Sequence, residues 1–189
     1  MTSLAEHSVE GLVRALAAKE PVPGGGAAAG AVAAIGVGLA RMVLAYSINK
    51  KSLAEHSDAN QADDEALAAC ALRALALADE DAAAYAVLNT LWKLPEDDAE
   101  REAGWDAAVD NAIDAPMQTM DLCGDALDRC EAMAHRTNTM LHSDLNGAIH
   151  LLVAATHVAA ENVRVNLPLL RDETRRAAIE QKVSDTFSQ

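Results

Sequence analysis

Residues 21 to 31 read PVPGGGAAAGA, which places a proline turn and three consecutive glycines directly before a helix of small residues. Proline fixes the backbone φ angle, and glycine removes the side chain that would keep a bound group away from the backbone. The first N–H groups of a helix have no partner within the helix, so this turn has the outline of an anion-binding site. The alternative is that glycine and alanine only allow two helices to pack closely, and this stretch alone does not separate the two interpretations.

The composition predicts a single all-helical domain over residues 1–189. Hydrophobic residues make up 51% of the chain but aromatic residues only 3%, so the interior must consist largely of alanine, leucine and valine. Alanine buries little area, which favours long, closely packed helices and a subunit that gains core by forming a homodimer. The sequence shows no alternating runs of valine, isoleucine and aromatic residues that would indicate strands.

Charge and cysteine content argue against several classes of partner. The net charge of −14 repels a phosphate backbone, so no nucleic-acid partner is expected. The uncharged residues 24–40 are mostly glycine and alanine and fall short of the ~20 strongly apolar residues of a membrane span, so a buried helix is expected instead. The first residues lack a signal-peptide pattern and the three cysteines form no CxxC pair, which favours the reducing cytoplasm.

Apolar spacing and capping residues predict the first three helices. Ser3 and Glu6 form a capping box for a short first helix. A second helix is expected over about residues 27–47, and Ser57 is expected to cap a long third helix that ends near residues 93–95.

Two prolines and a Ser-Asp pair predict the remaining helix starts. Pro95 and Pro116 each stand where a new helix could begin, since proline fits the first helical turn. Ser143 and Asp144 are expected to cap the next helix, which continues to about Pro168 before a last helix follows. The prediction is therefore an up-and-down bundle of long helices.

Six separated segments carry a more specific signal through their order and spacing. They are residues 21–29 (PVPGGGAAA), 49–51 (NKK), 78–85 (ADEDAAAY), 93–95 (KLP), 143–145 (SDL) and 162–166 (NVRVN). Together they resemble the formiminotetrahydrofolate cyclodeaminase and methenyltetrahydrofolate cyclohydrolase family. The resemblance implies an all-helical homodimer that acts on a one-carbon unit carried by tetrahydrofolate, with no permanently bound cofactor.

The resemblance also implies which residues form the site. The catalytic candidates are Asp144, Lys50 and Asp81, the last because a mid-helix carboxylate in the matching segment can face the site. The glutamate tail of folate is anionic, so an acidic protein must hold it with local positive charge or bare N–H groups; any single lysine or arginine is alternatively a solvated helix-end charge. The substrate-binding candidates are Pro23, Gly24, Gly25, Gly26, Lys51, Asn138, Ser143, Asn162, Arg164 and Asn166, with Arg41 as a further cation.

The chemistry of the implied substrate assigns roles to the candidates. Methenyltetrahydrofolate is an amidinium-like cation whose bridging carbon joins N5 and N10. Attack of water on this carbon requires a base for the water and an acid for the departing nitrogen. Asp144 is the first candidate for the carboxylate because a helix N-terminus favours its charged form, and Lys50 or Lys51 is the candidate acid. The alternative is that Asp144 is only a helix cap.

Cyclohydrolase is the preferred activity and cyclodeaminase is the alternative. Attack of N10 on a protonated formimino carbon gives a closely related tetrahedral species, so the two reactions differ only in the leaving group. The absence of a formiminotransferase segment in this sequence favours the cyclohydrolase. A third hypothesis is a non-catalytic helical dimer that binds a small anionic ligand or a partner helix through the glycine turn.

Helix geometry places a condition on the site. Asp144 and Asn162 are 18 residues apart, so they share one helix face but lie ~27 Å apart along the axis. A site that uses both therefore needs a second, antiparallel subunit or a long substrate. The alternative for Asn162 and Asn166 is that they bond each other or neighbouring backbone.

A metal site is not expected on this helix. His150 and His157 share a face with Glu161, but the two histidines are ~10 Å apart along the axis, which is too far for one ion.

Overall fold

The computed structural model describes residues 3–187, which fold into six α-helices joined by short turns, with no strand in this range. The all-helical prediction is confirmed. Short 3₁₀ helices lie at Leu4–Glu6, Lys51–His56, Thr139–Leu141 and Leu167–Leu169. The α-helices are α1 (Val9–Leu16), α2 (Gly25–Ala45), α3 (Ser57–Trp92), α4 (Ala99–Met133), α5 (His142–Asn166) and α6 (Glu173–Thr186).

The four long helices α2 to α5 form an up-and-down bundle. Helix α2 packs against α3 and α5, and α4 packs against the same two helices. The direction of α5 relative to α2 follows from two contacts, since Gly36 lies beside Leu152 and Leu39 lies beside Gly147. Residue numbers rise from 36 to 39 along α2 while those of the contacting residues fall from 152 to 147 along α5, so the two helices are antiparallel. The start of α2 therefore lies with the end of α5, and the end of α2 lies with the start of α5.

Close helix packing explains part of the glycine-rich stretch. A Cβ atom at Gly30 would lie 2.7 Å from the Ala74 carbonyl oxygen and 2.9 Å from the Ala78 Cβ atom, so only glycine allows α2 and α3 to approach this closely. The interior around this contact consists of small and aliphatic side chains such as Ala33 and Val37, both fully buried. The close-packing interpretation is therefore correct for the second half of the stretch.

Helix α2 contains most of the uncharged residues 24–40. By length and composition alone, Gly25–Ala45 could cross a membrane, but more than half of its most apolar part is buried inside the structure. Core helices of globular proteins have the same properties, and α2 is packed on two neighbouring helices.

The predicted helix starts at both prolines were wrong. Helix α4 begins at Ala99, after Asp98, whose carboxylate accepts from the Glu100 N–H at 2.9 Å, so an acidic cap and not Pro95 sets the start. Pro116 lies inside α4, and the helix continues through it. Proline has no N–H to donate to the Ala112 carbonyl one turn earlier, and the Asn166 amide of α5 donates to that carbonyl instead, at 3.0 Å.

Three predicted caps were also wrong by a few residues. Ser57 is the first residue of α3 and does not cap it, since its hydroxyl donates to the Ile48 carbonyl at 3.1 Å. Ser3 caps the 3₁₀ turn Leu4–Glu6, and Ser8 caps α1 through the Gly11 N–H. Helix α5 begins at His142, so Ser143 and Asp144 lie in its first turn and do not cap it.

Candidate active site

A cleft of about 340 Å³ opens where α2 begins and α5 ends. The turn before α2 and α2's first residue form one wall, one face of α3 forms another, and the last turn of α5 closes it. Its lining residues are Pro21, Val22, Gly24, Gly25, Asp81, Tyr85, Trp92, Ala112, Asn162, Val165 and Asn166.

Asp81 is the carboxylate of this cleft. A Cβ atom at Gly26 would overlap the Asp81 carboxylate, so glycine at this position makes room for the acid. Burial raises the pKa of the Asp81 carboxyl from an ordinary 3.8 to about 6, and a hydrogen bond from the Ala27 N–H opposes that rise. The first turn of α2 thus presents a backbone N–H to an acid that changes its charge near neutral pH.

Asn162 faces the same turn from α5. A Cβ atom at Gly25 would lie 2.9 Å from the Asn162 amide nitrogen, so this glycine allows the amide to approach the backbone. The same nitrogen donates to the Val158 carbonyl at 2.8 Å, which fixes the orientation of the side chain. Gly25 and Gly26 thus adjoin polar side chains of the cleft, whereas Gly30 allows helix packing.

Asn166 has a structural role in the cleft wall. Its side-chain nitrogen donates to the Ala112 carbonyl and to the Asn162 carbonyl, each at 3.0 Å, and the residue is only 7% exposed. These bonds match the structural alternative for this residue, and they hold the end of α5 against α4 at the base of the cleft.

The cleft has no cationic side chain among its lining residues. Arg164 lies on the adjoining turn of α5 but pairs with Glu161 at 2.5 Å and stacks over the Phe187 ring at 5.6 Å. Pro23 belongs to the turn without lining the cleft, and Arg41 pairs with Asp64 at 2.8 Å. Positive charge for an anionic substrate must therefore come from elsewhere.

The remaining candidates lie at the opposite end of α2. Lys50 donates to the Asn138 side-chain oxygen at 2.7 Å, and the Asn138 N–H donates to the Ser47 hydroxyl at 2.9 Å. Asp144 is half-buried in the first turn of α5, which the antiparallel packing places at this end, while Lys51 and Ser143 are exposed. The 21 residues of α2 separate this end of the bundle from the cleft by roughly 30 Å.

One chain thus brings together only half of the predicted site. Gly24, Gly25, Asp81, Asn162 and Asn166 share the cleft, whereas the lysine end, defined by Lys50, Asn138 and Asp144, forms a separate group. This separation is the one that the spacing along α5 predicts, so the condition of a second subunit or a long substrate remains.

Sequence reasoning missed Trp92 and Val165 as cleft residues. A usable signal was present for Trp92, because residues 81, 85 and 92 follow an i, i+4, i+11 spacing on one face of α3. Val165 carries no comparable signal, since its position depends on how the end of α5 meets the glycine turn.

The described residues hold no group of three or more His, Cys, Asp or Glu side chains that could bind a metal ion. His157 stacks instead on the Phe187 ring, with 4.5 Å between ring centroids.

Comparisons with known proteins identify relatives of this chain. A protein of Methylorubrum extorquens named methenyltetrahydrofolate cyclohydrolase is 31% identical over 184 residues, which cover 95% of this chain and 86% of that protein. The formimidoyltransferase-cyclodeaminase of Mus musculus is 27% identical over 192 residues. The match covers 99% of this chain but only 35% of the mouse protein, so the chain spans only part of that relative's length.

The fold has a counterpart of known structure. The crystal structure of formiminotetrahydrofolate cyclodeaminase from Thermotoga maritima superposes with a TM-score of 0.90 at 26% identity, covering 97% of this chain and 90% of that chain. Residues 8–185 match the sequence model of the family described as Formiminotransferase-cyclodeaminase. With nearly the whole chain inside that match, the protein belongs to the formiminotransferase-cyclodeaminase family.

Proposed function

We propose that this protein is a methenyltetrahydrofolate cyclohydrolase, which hydrolyses 5,10-methenyltetrahydrofolate to 10-formyltetrahydrofolate. The relative from Methylorubrum extorquens, which carries that name and is matched over 86% of its length, supports this activity. The observation that carries the proposal is Asp81, a mostly buried carboxylate that lies against the glycine turn in the cleft.

The position of Asp81 suits the reaction of a cationic carbon. In its charged form the carboxylate stabilises the amidinium-like bridge, and it accepts a proton from the water that attacks the bridging carbon. The attack forms a bond between this carbon and the water oxygen and gives a tetrahedral intermediate. Asp81 returns its proton to N5 as the bond between carbon and N5 breaks, and the hydroxyl proton leaves to solvent. The formyl group stays on N10, and one proton is released overall.

The pKa of Asp81 fits both halves of this cycle. A group with a pKa of about 6 is mostly charged at neutral pH and still acidic enough to protonate a departing nitrogen. Asp144, the first candidate from the sequence, lies outside this cleft within one chain, so Asp81 takes the central role in the proposal.

Formiminotetrahydrofolate cyclodeaminase is the second candidate activity. The Thermotoga maritima structure and the mouse relative, both named for cyclodeamination, favour it. The same carboxylate would stabilise the protonated formimino carbon while N10 attacks it, with ammonia as the leaving group. The two activities therefore make the same demands on the cleft.

We also propose that the protein is a cytoplasmic homodimer that pairs through α2. One face of α2 is a stripe of apolar residues, spaced three or four apart, that no other helix of the described chain covers fully. Ile35 at its centre is 58% exposed and Tyr46 at its end is 65% exposed. An exposed, self-complementary apolar stripe suits an isologous interface. The α2 stripe consists of Ala28, Val32, Ile35, Leu39, Met42 and Tyr46.

Antiparallel pairing about Ile35 would complete the site. Residue 25 of one chain then lies opposite residue 45 of its partner, because each is ten positions from the centre. The cleft, which has no cation of its own, would meet a lysine end that has one. This arrangement meets the condition that the sequence spacing set for a shared site.

Loss of the methenyl absorbance on mixing the protein with 5,10-methenyltetrahydrofolate tests the activity. We expect rapid decay with the native chain and at least a hundredfold slower decay with Asp81→Asn, a loss typical of a removed acid or base. The rate should rise with pH through about 6, since the charged carboxylate is the active form.

Ammonia release from formiminotetrahydrofolate, measured in parallel, separates the two enzyme hypotheses. Release of ammonia without methenyl decay would replace the cyclohydrolase proposal by the cyclodeaminase. If the native chain catalyses neither reaction, the non-catalytic dimer is the correct interpretation.

A further inference from the structure

Aromatic side chains are scarce in this chain but concentrated at the cleft. The sequence contains two tryptophans, two tyrosines and one phenylalanine. One tryptophan and one tyrosine, Trp92 and Tyr85, line the cleft from the same face of α3 as Asp81. Both are solvent-exposed in the cleft, Trp92 by 49%, although large aromatic side chains usually bury most of their surface.

Trp92 is supported from behind. The Trp105 ring of α4 lies edge-on to it, with 6.0 Å between ring centroids and an interplanar angle of 72°. Trp105 is itself held by the Arg101 guanidinium, 4.7 Å above its ring, and donates to the Leu169 carbonyl at 3.4 Å. The Trp92 indole is thus packed on a fixed neighbour while much of its surface stays exposed at the cleft, which leaves area on which a flat ring can stack.

The spacing along α3 orders the cleft from acid to aromatic. Tyr85 lies ~6 Å and Trp92 ~16 Å from Asp81 along the helix axis, and helical side chains lean toward the N-terminus, which brings the indole back toward Tyr85. The cleft also has apolar lining residues, which include Pro21, Val22 and Val165. The polar side chains of Asp81 and Asn162 both adjoin the glycine turn, at Gly26 and Gly25, and Asn166 lies one helical turn beyond Asn162.

We propose that Trp92 is a specificity-determining residue whose indole stacks on the p-aminobenzoyl ring of the substrate. This inference rests on the proposed function, because it places the reacting carbon at Asp81. The pterin ring carries many hydrogen-bonding atoms and suits the polar end of the cleft, whereas the benzoyl ring has none and suits the indole. The benzoyl ring is attached to N10, so it extends away from the reacting carbon along α3.

The first experiment uses the fragment p-aminobenzoyl-L-glutamate and the fluorescence of Trp92. In Trp105→Phe, Trp92 is the single tryptophan of the chain. We expect the fragment to quench this fluorescence in a saturable manner, and 5,10-methenyltetrahydrofolate to compete with it. This arm uses the native Trp92, so it does not depend on whether a Trp92 variant folds. Absence of saturable quenching would overturn the inference.

The second experiment measures KM and kcat for methenyl decay. Trp92→Leu removes the ring and should raise KM roughly tenfold while kcat changes little, since stacking contributes on that scale. Trp92→Phe is the matched control, because it keeps a ring at this position and should retain most of the affinity. An unchanged KM in Trp92→Leu would overturn the inference while leaving the proposed function intact.

The two proposals fail in different ways. If the native chain does not consume 5,10-methenyltetrahydrofolate, but the fragment saturably quenches Trp92 in Trp105→Phe, the proposed function is overturned while stacking on Trp92 is supported.

Discussion

At the scale of single residues, Asp81 is the proposed catalytic acid, and burial of its charged form lowers the stability of the folded protein at neutral pH. Its folded-state pKa is about 6 against an ordinary 3.8, so the folded protein holds this proton more tightly than the unfolded chain does. The associated stability is fully present below pH ~4 and is lost as the pH rises through about 6. A shift of about two pKa units corresponds to at most about 3 kcal/mol in the free energy of unfolding.

Asp81→Asn should therefore stabilise the protein at pH 8 by up to about 3 kcal/mol, and the gain should disappear near pH 4. Urea unfolding at the two pH values measures this difference. Glu80→Gln is the matched control, because it removes an exposed neighbouring carboxylate that pairs with Arg73. A gain that is equal at both pH values would show that burial of charge at Asp81 is not its source.

Sequence reasoning named Asp81 but could not rank it above Asp144. Both are acids in matching segments, and only the tertiary structure shows that Asp81 lies against a glycine in the cleft while Asp144 lies half-buried in the first turn of α5. Burial depends on which side chain α2 presents to α3, and a single sequence does not contain that register.

At the scale of helices, the first turn of α2 exists in this form because Gly26 has no side chain. Gly26→Ala would force a Cβ atom against the Asp81 carboxylate, so we expect a loss of about 1 to 3 kcal/mol in the free energy of unfolding. Methenyl decay should also slow at least tenfold, since the displaced acid no longer faces the bound carbon.

The control for this variant is Gly124→Ala in α4, where nothing lies within 4 Å of the added Cβ atom. Alanine is the better helix former, so this change should stabilise by about 1 kcal/mol and leave activity unchanged. If Gly26→Ala behaved in the same way as Gly124→Ala, the assigned contact between α2 and Asp81 would be wrong.

Helix existence could be predicted from the sequence more securely than helix ends. The apolar spacing identified the long helices, but Pro116 was expected to start one and lies inside α4. The compensation comes from Asn166, fifty residues away, whose amide replaces the missing N–H at the Ala112 carbonyl. Local rules for proline do not include a donor from another helix, so this error could not be avoided at the level of one segment.

At the scale of the whole molecule, the bundle keeps two groups of functional candidates apart. The cleft holds Asp81, two asparagines and the aromatic side chains of α3, and the lysine end holds Lys50 bonded to Asn138. The sequence predicted the separation from the rise of α5 alone, since helix length is a property of residue number. It could not identify the α2 stripe, which we propose as the pairing surface, because exposure of Ile35 follows from the packing of three helices.

Mixing two inactive variants tests whether the groups meet across a dimer. Asp81→Asn damages the cleft, and Asp144→Ala damages the lysine end, so each variant alone should be inactive. In a mixed dimer, one site carries both changes and the other carries neither. Random assembly makes half of the dimers mixed, and co-refolding equal amounts should restore roughly a quarter of the native activity.

Adding Ile35→Asp to both chains should prevent this recovery, because a buried charge at the centre of the α2 stripe opposes pairing. Full activity of Asp144→Ala by itself, or recovery that persists with Ile35→Asp, would mean that each cleft works within its own chain.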